Sequence, residues 1–163
     1  MIERGGKLEY NSSDAVLLGF IAGERFLDET EWSDVNLMRR LLWHGGRAVE
    51  GFAKSKRIHE SGLLLTPPSH SWIDSIHEGY PTRIPKNWIE EDFDPEKPFY
   101  FFPEINAEWI RMLSFLVKID ERLKKGNNRY KQLFTNALEG FERLLLQESH
   151  PVFVRDLHGR IDG

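Results

Sequence analysis

A mainly α-helical chain, made of antiparallel helical hairpins with one long interrupting loop, is what the sequence predicts. Three observations lead there. Apolar residues recur at spacings of three and four in several stretches, good capping residues stand directly before those stretches, and between 62 and 103 the periodicity gives way to Pro, Gly and aromatic residues. With 163 residues, 40% of them hydrophobic and 12% aromatic, the chain can build one core of ordinary size and is too apolar to be disordered. A single domain over 1–163, or a fragment of a larger domain, is the expected organisation.

The first helix is expected where Asn11-Ser12-Ser13-Asp14, all good N-terminal caps, precede Ala15-Val16-Leu17-Leu18-Gly19-Phe20-Ile21-Ala22. That run is apolar on almost every side, which predicts a helix buried on all flanks. Trp32-Ser33-Asp34 opens a second helix with Met38, Leu41, Leu42, Ala48, Val49 and Phe52 on one side. It reads as a long outer helix interrupted at Gly45-Gly46. The stretch from Gly62 to Pro103 has no clear helical pattern, and loops of that length inside domains tend to be functional. A third helix carries Ile105, Trp109, Met112, Leu116, Ile119 and Leu123 and stops at Lys124-Lys125-Gly126, a basic last turn followed by glycine. The fourth carries Tyr130, Leu133, Phe134, Ala137, Phe141 and Leu144 and ends before Pro151. An apolar helix alternating with an amphipathic one implies hairpins packed in layers.

Composition narrows the function classes. The net charge is −4, and Lys and Arg are scattered among acids, which argues against a nucleic-acid partner. There is no cysteine, so disulfides, thiolate metal sites and a cysteine nucleophile are excluded. His70, His77 and Glu78 lack metal-ligand spacing, and neither a metal nor a cofactor is expected. Met1 to Gly6 hold no apolar signal core, and no stretch approaches the roughly 20 apolar residues that a membrane crossing requires. A cytoplasmic protein with no membrane partner is the default expectation.

The long loop holds the chemistry-bearing residues. It contains Gly62-Leu63-Leu64-Leu65 leading to Trp72-Ile73-Asp74, then Pro81-Thr82-Arg83-Ile84-Pro85-Lys86, and finally Glu104-Ile105-Asn106-Ala107-Glu108-Trp109 at the start of the third helix. In this order the segments resemble the amylo-α-1,6-glucosidase domain of glycogen debranching enzymes. That family has a Gly-Leu-Leu segment, Trp-x-Asp, Thr-Pro-Arg with a Gly-Lys-Pro-like stretch, and Glu-Ile-Asn-Ala-x-Trp opening a helix. Upstream, Tyr10-Asn11-Ser12-Ser13-Asp14-Ala15 looks like the family's Tyr-Asn-Thr-x-Asp-Ala. The matching region spans 10–110. It departs from the family at Pro81-Thr82-Arg83, which scrambles Thr-Pro-Arg, and the acidic stretch from Asn87 to Tyr100 separates it widely from Glu104.

The resemblance implies part of an (α/α)6 toroid and inverting hydrolysis of α-1,6-linked glucose in an α-glucan. It points to Asp74 as the general acid, and Asp74 beside Trp72 in an aromatic loop has a setting that favours a raised pKa. As an alternative, Asp74 is a solvated turn residue. Asp14, Trp72, Arg83, Glu104, Asn106 and Trp109 are the candidate substrate-binding residues. Trp72 and Trp109 would stack on sugar faces or fill a core; Asp14 and Glu104 would contact sugar or simply cap helices. The pattern accounts for about two of the ring's six hairpins, and the family's catalytic base lies beyond the matched stretch. The chain is therefore expected to be inactive alone and to self-associate or pair with a missing C-terminal part. A noncatalytic helical module that binds carbohydrate or regulates is the second reading.

Overall fold

The computed structural model describes residues 2–4, 7–9, 13–68, 76–77, 80–81, 83–88 and 99–162, with side chains for 14–68, 83–85, 87–88 and 99–162. A hairpin of β1 (Ile2–Arg4) and β2 (Lys7–Glu9) precedes α1 (Ser13–Glu29) and α2 (Val35–Lys54). The loop region holds a second hairpin, β3 (Ile76–His77) and β4 (Tyr80–Pro81), and a short 3-10 turn at Lys86–Trp88. Then come β5 (Tyr100–Phe101), α3 (Pro103–Arg122) and α4 (Asn128–Leu145). Four short strands close the chain: β6 (Leu146–Gln147), β7 (His150–Pro151), β8 (Val154–Asp156) and β9 (Ile161–Asp162). Beside the helices stands a three-stranded antiparallel sheet in the order β5-β8-β9. The protein is mostly helical.

Local chemistry sets the helix boundaries. The Asp34 carboxylate accepts from Leu37 N at 2.8 Å, using up one of the orphan amides at the head of α2. Asn127 does the same for α4, accepting from Arg129 N at 3.1 Å. α3 begins with Pro103, whose missing N–H is harmless in a first turn.

α3 is the central element and packs against α1, α2 and α4. Ile105, Trp109, Met112, Leu113, Phe115, Leu116 and Ile119 are all buried along it. The position expected for the apolar run of α1 is thus held by α3. α1 buries one stripe, Asp14, Leu17, Phe20, Glu24 and Leu27, and leaves Val16, Leu18 and Phe26 exposed on the other side. This corrects the expectation of a helix enclosed on all flanks: the first helix packs against α3 and α2, and Val16, Leu18 and Phe26 stay about half exposed.

Directions follow from the contacts. Glu24 of α1 pairs with Arg111 and Lys118 of α3, and Trp32, just beyond α1, meets Phe115 edge-on at 5.8 Å and lies under Arg122 at 4.3 Å. α1 and α3 therefore run parallel. α2 runs the other way, because Phe52 near its end touches Trp109 near the start of α3, while Gly45 in its middle lies on Leu116. Gly45 is the point of closest approach: a Cβ there would collide with the Leu116 methyls, so the Gly45-Gly46 pair is a packing notch inside one continuous helix. α4 turns back along α3 after the short connection 123–127.

The segment following α2 is more ordered than a bare loop. Residues 61–68 are all buried, bridges join Ile58 to Leu64 and Thr66 to Tyr100, and Gly62 takes a left-handed conformation (φ 81°). A Cβ at Gly62 would strike the backbone of α4 at Ala137, which is why glycine stands there. Beneath the small sheet lies a secondary apolar cluster of Leu63, Leu65, Phe101, Leu145 and Val152. No helix among the described residues is long and apolar enough to cross a membrane.

Candidate functional site: an acidic mouth at the head of two parallel helices

The parallel run of α1 and α3 brings their N-terminal turns together, and with them three carboxylic acids. Asp14 sits in the first turn of α1 and is 1% exposed; Glu104 sits in the first turn of α3. Glu108 follows Glu104 by four residues, so the two project from the same side of the helix. One oxygen of Glu108, Oε2, is buried without a hydrogen-bond partner. Its carboxyl is pushed up from 4.5 to about 7, first by burial and then by the carboxylates of Asp14 and Glu104. Glu108 thus holds its proton into the neutral range, as a general acid must.

Arg83 fixes one edge of this mouth. Its guanidinium binds Glu104 as a fork, Nη1 to Oε1 and Nη2 to Oε2 at 3.0 Å, and Nη2 also donates to the Phe153 carbonyl at 3.4 Å. The Phe102 and Phe153 rings flank it at 4.3 and 5.0 Å from Cζ. Planar, charged and sandwiched, it occupies a setting that arginine suits and lysine does not. At 5% exposure Arg83 is placed to hold Glu104 still rather than to reach a ligand itself.

Asn106 and Trp109 serve the scaffold. Asn106 is fully buried; its Oδ1 accepts from Leu64 N at 2.7 Å, and Nδ2 donates to the carbonyls of Leu64 and Phe102, both at 3.1 Å. It splices the buried 61–68 segment to the head of α3. Trp109 is 0% exposed, donates Nε1–H to the Gly62 carbonyl at 2.9 Å and meets Phe52 edge-on. Its indole offers no face to a sugar ring, so of its two readings the structure takes the core. Asp74 and Trp72 lie outside the described residues, as do His70 and Glu78.

Of the candidate residues, then, the structure brings Asp14, Arg83 and Glu104 to one end of the helix pair and puts Asn106 and Trp109 in the packing beneath. Sequence reasoning passed over Glu108, which occupies the free position of Glu-Ile-Asn-Ala-x-Trp. The signal was present in its i, i+4 spacing from Glu104. Among the described residues no group of three His, Cys, Asp or Glu side chains is arranged to hold a metal ion. A cleft of about 340 Å3 lined by Asp120, Asn127, Asn128 and Lys131 opens at the other end of α3, away from the acids.

The raised Glu108 carboxyl has a measurable consequence. The folded state binds this proton more tightly than the unfolded chain does, so between about 4.5 and about 7 stability falls as pH rises. Glu108 is partly open to water, and after allowing for screening the effect is on the order of 1 kcal/mol. A Glu108→Gln variant is expected to match the wild type in melting temperature at pH 4 and to exceed it at pH 8. Parallel melting curves for the two proteins across that range would expose the idea as wrong.

No protein-family model, curated protein or solved structure matches the chain.

Proposed function

We propose that this chain forms a glucan-facing arc of an (α/α)6-type wall in a debranching-type glucosidase, with the acidic mouth turned toward the sugar. The observation that carries the reading is the meeting of Asp14, Glu104 and the proton-holding Glu108 at the head of two parallel helices. In such a wall, consecutive inner helices run parallel and each is backed by an antiparallel outer helix; α1 and α3 would be inner, α2 and α4 outer. Glycosidic cleavage needs one protonated and one ionised carboxyl group. Glu108 is suited to the first role, the one for which the family resemblance points to Asp74. Glu104, held by Arg83, would take up hydroxyl hydrogen bonds, while Asp14, buried beneath, would act on the sugar only through the proton it helps Glu108 to hold. Binding is the expected activity of the chain by itself; hydrolysis of α-1,6-linked glucose would need the rest of the wall and a catalytic base.

The test uses the whole chain. Titration with a branched limit dextrin, followed by tryptophan fluorescence, should saturate, and Glu108→Gln or Glu104→Gln should weaken it at least about tenfold, the scale of one lost charged hydrogen bond. Glucose release should stay at background. A titration that never saturates, or one indifferent to both substitutions, sinks the proposal; robust release that vanishes in Asp74→Asn would make the chain a complete enzyme.

The exposed flank of α1 belongs to the same reading, since it is the side on which the next inner helix of a ring would sit. Leu18 and Phe26 are 43% and 50% exposed there. Exposed apolar patches recruit partners. A Leu18→Glu/Phe26→Glu variant is expected to keep its melting temperature, as exposed sites usually allow within about 0.5 kcal/mol. It should lose whatever association persists at high salt. A large drop in melting temperature would show instead that the flank is already covered.

A further inference from the structure

The charge of this chain is unevenly placed. Residues 35–57 hold six Lys or Arg and a single acid, Glu50, a charge of +5 inside a chain whose net charge is −4. Most of it stands on one face of α2. Arg39, Arg40, Trp43, Arg47 and Lys54 recur at helical spacings of three, four and seven, and all five side chains are exposed. Trp43 is 61% exposed, the largest value among the exposed large hydrophobic residues described, and Arg47 lies over its ring at 5.8 Å. Among the described residues none of Arg39, Arg40, Arg47 and Lys54 makes an ion pair. Met38, Leu41, Leu42 and Val49, on the opposite side, pack into the core, so the fold does not need the basic face.

The shape of this face selects among anionic partners. α2 is one continuous helix, and the row from Arg39 to Lys54 runs straight for about 22 Å. A flat surface can meet the whole row at once, whereas a long polyanion would continue past the helix onto a chain that is otherwise acidic. Each basic side chain close to anionic headgroups strengthens attachment, and tryptophan favours the boundary between headgroups and acyl chains.

We infer that the Arg39–Arg40–Trp43–Arg47–Lys54 face of α2 docks on a bilayer surface rich in anionic phospholipid, with its cations against the headgroups and Trp43 set into the interface. The helix lies on the membrane and does not enter it, because its apolar side is already packed against the core. The expectation of no membrane partner rested on the lack of a spanning segment, which surface attachment does not require. Charge drives this contact, so it weakens as salt rises; the apolar flank of α1, which associates at high salt, takes no part in it.

Cosedimentation of the full chain with lipid vesicles tests this. The wild type should bind phosphatidylcholine vesicles that contain about 30% phosphatidylserine at about 50 mM salt, at least about tenfold more weakly at about 500 mM, and pure phosphatidylcholine only at background. Arg39→Glu/Arg40→Glu should bind at least about tenfold more weakly with an unchanged melting curve, while Arg39→Lys/Arg40→Lys, which keeps the charge, should bind like the wild type. Lipids brominated along the acyl chain should quench part of the tryptophan fluorescence of the bound wild type, and that part should vanish in Trp43→Phe. No glucan enters these measurements, so they stand or fall apart from the dextrin titration. A wild type that ignores phosphatidylserine at low salt, equal binding to neutral vesicles, or a reversal variant that binds like the wild type would each overturn the inference. So would binding of a single-stranded DNA oligomer, lost in Arg39→Glu/Arg40→Glu, by a chain that leaves the vesicles untouched, because the face would then belong to nucleic acid.

Discussion

Replacing Trp109 with alanine is expected to destabilise the protein by about 4 kcal/mol, the range for emptying a core of a large aromatic side chain. In a chain of this size that corresponds to a fall of roughly 10 °C in melting temperature. The indole is fully enclosed, packs edge-on against Phe52 of α2, and anchors the Gly62 carbonyl through Nε1–H. Its loss therefore opens a cavity among α2, α3 and the buried 61–68 segment and leaves a carbonyl unpaired. Trp109→Phe should recover most of the packing but not the hydrogen bond, giving an intermediate melting temperature. If alanine left stability within about 0.5 kcal/mol of the wild type while abolishing dextrin binding, Trp109 would have to be a sugar platform after all.

Arg83→Met is expected to cost about 3 kcal/mol, since removing one member of a buried pair strands the other. The methionine fills the space between Phe102 and Phe153, so the loss is that of the guanidinium's polar contacts, the fork on Glu104 among them. It also changes the mouth electrostatically. Without the guanidinium, the charge on Glu104 is no longer offset, and the Glu108 proton should be held to still higher pH. Following the Glu108 carboxyl by NMR across a pH series reads this directly. An unmoved titration would mean that Arg83 does not govern the charge of the site. Arg83→Lys should not rescue stability, because an ammonium can neither fork onto a carboxylate nor lie flat between two rings.

How far the sequence foretold this arrangement depends on the range of the interactions involved. The spacing of Ile105, Trp109, Met112, Leu116 and Ile119 identified the buried stripe of α3, because a helix displays its burial in its own periodicity. The same logic misjudged α1. A run such as Ala15 to Ala22 shows that several sides are apolar but not which of them finds a neighbour, and within it only Leu17 and Phe20 are buried. Gly45 read as an interruption because its partner, Leu116, is distant in sequence. The Arg83–Glu104 fork was likewise invisible, although both residues had been singled out: nothing local indicates that they bind each other rather than a ligand. Asn106 and Trp109 were noticed as polar and aromatic residues in a motif, yet their hydrogen bonds run to Leu64 and Gly62, partners that only the fold reveals.

The contact between Arg83 and Phe153 spans 70 residues. During synthesis, Asp14, Glu104 and Glu108 all leave the ribosome well before Phe153, at a pace of about 5–20 residues per second. For that interval of seconds α1 and α3 can pair, but the guanidinium that orients Glu104 lacks one of its two aromatic walls and its carbonyl acceptor. Closing so long a loop is also entropically the costlier step. The acidic mouth is thus completed only once Phe153 has been added: a nascent chain paused within α4 already carries every carboxylate of the site, with the geometry that ranks them still to be set.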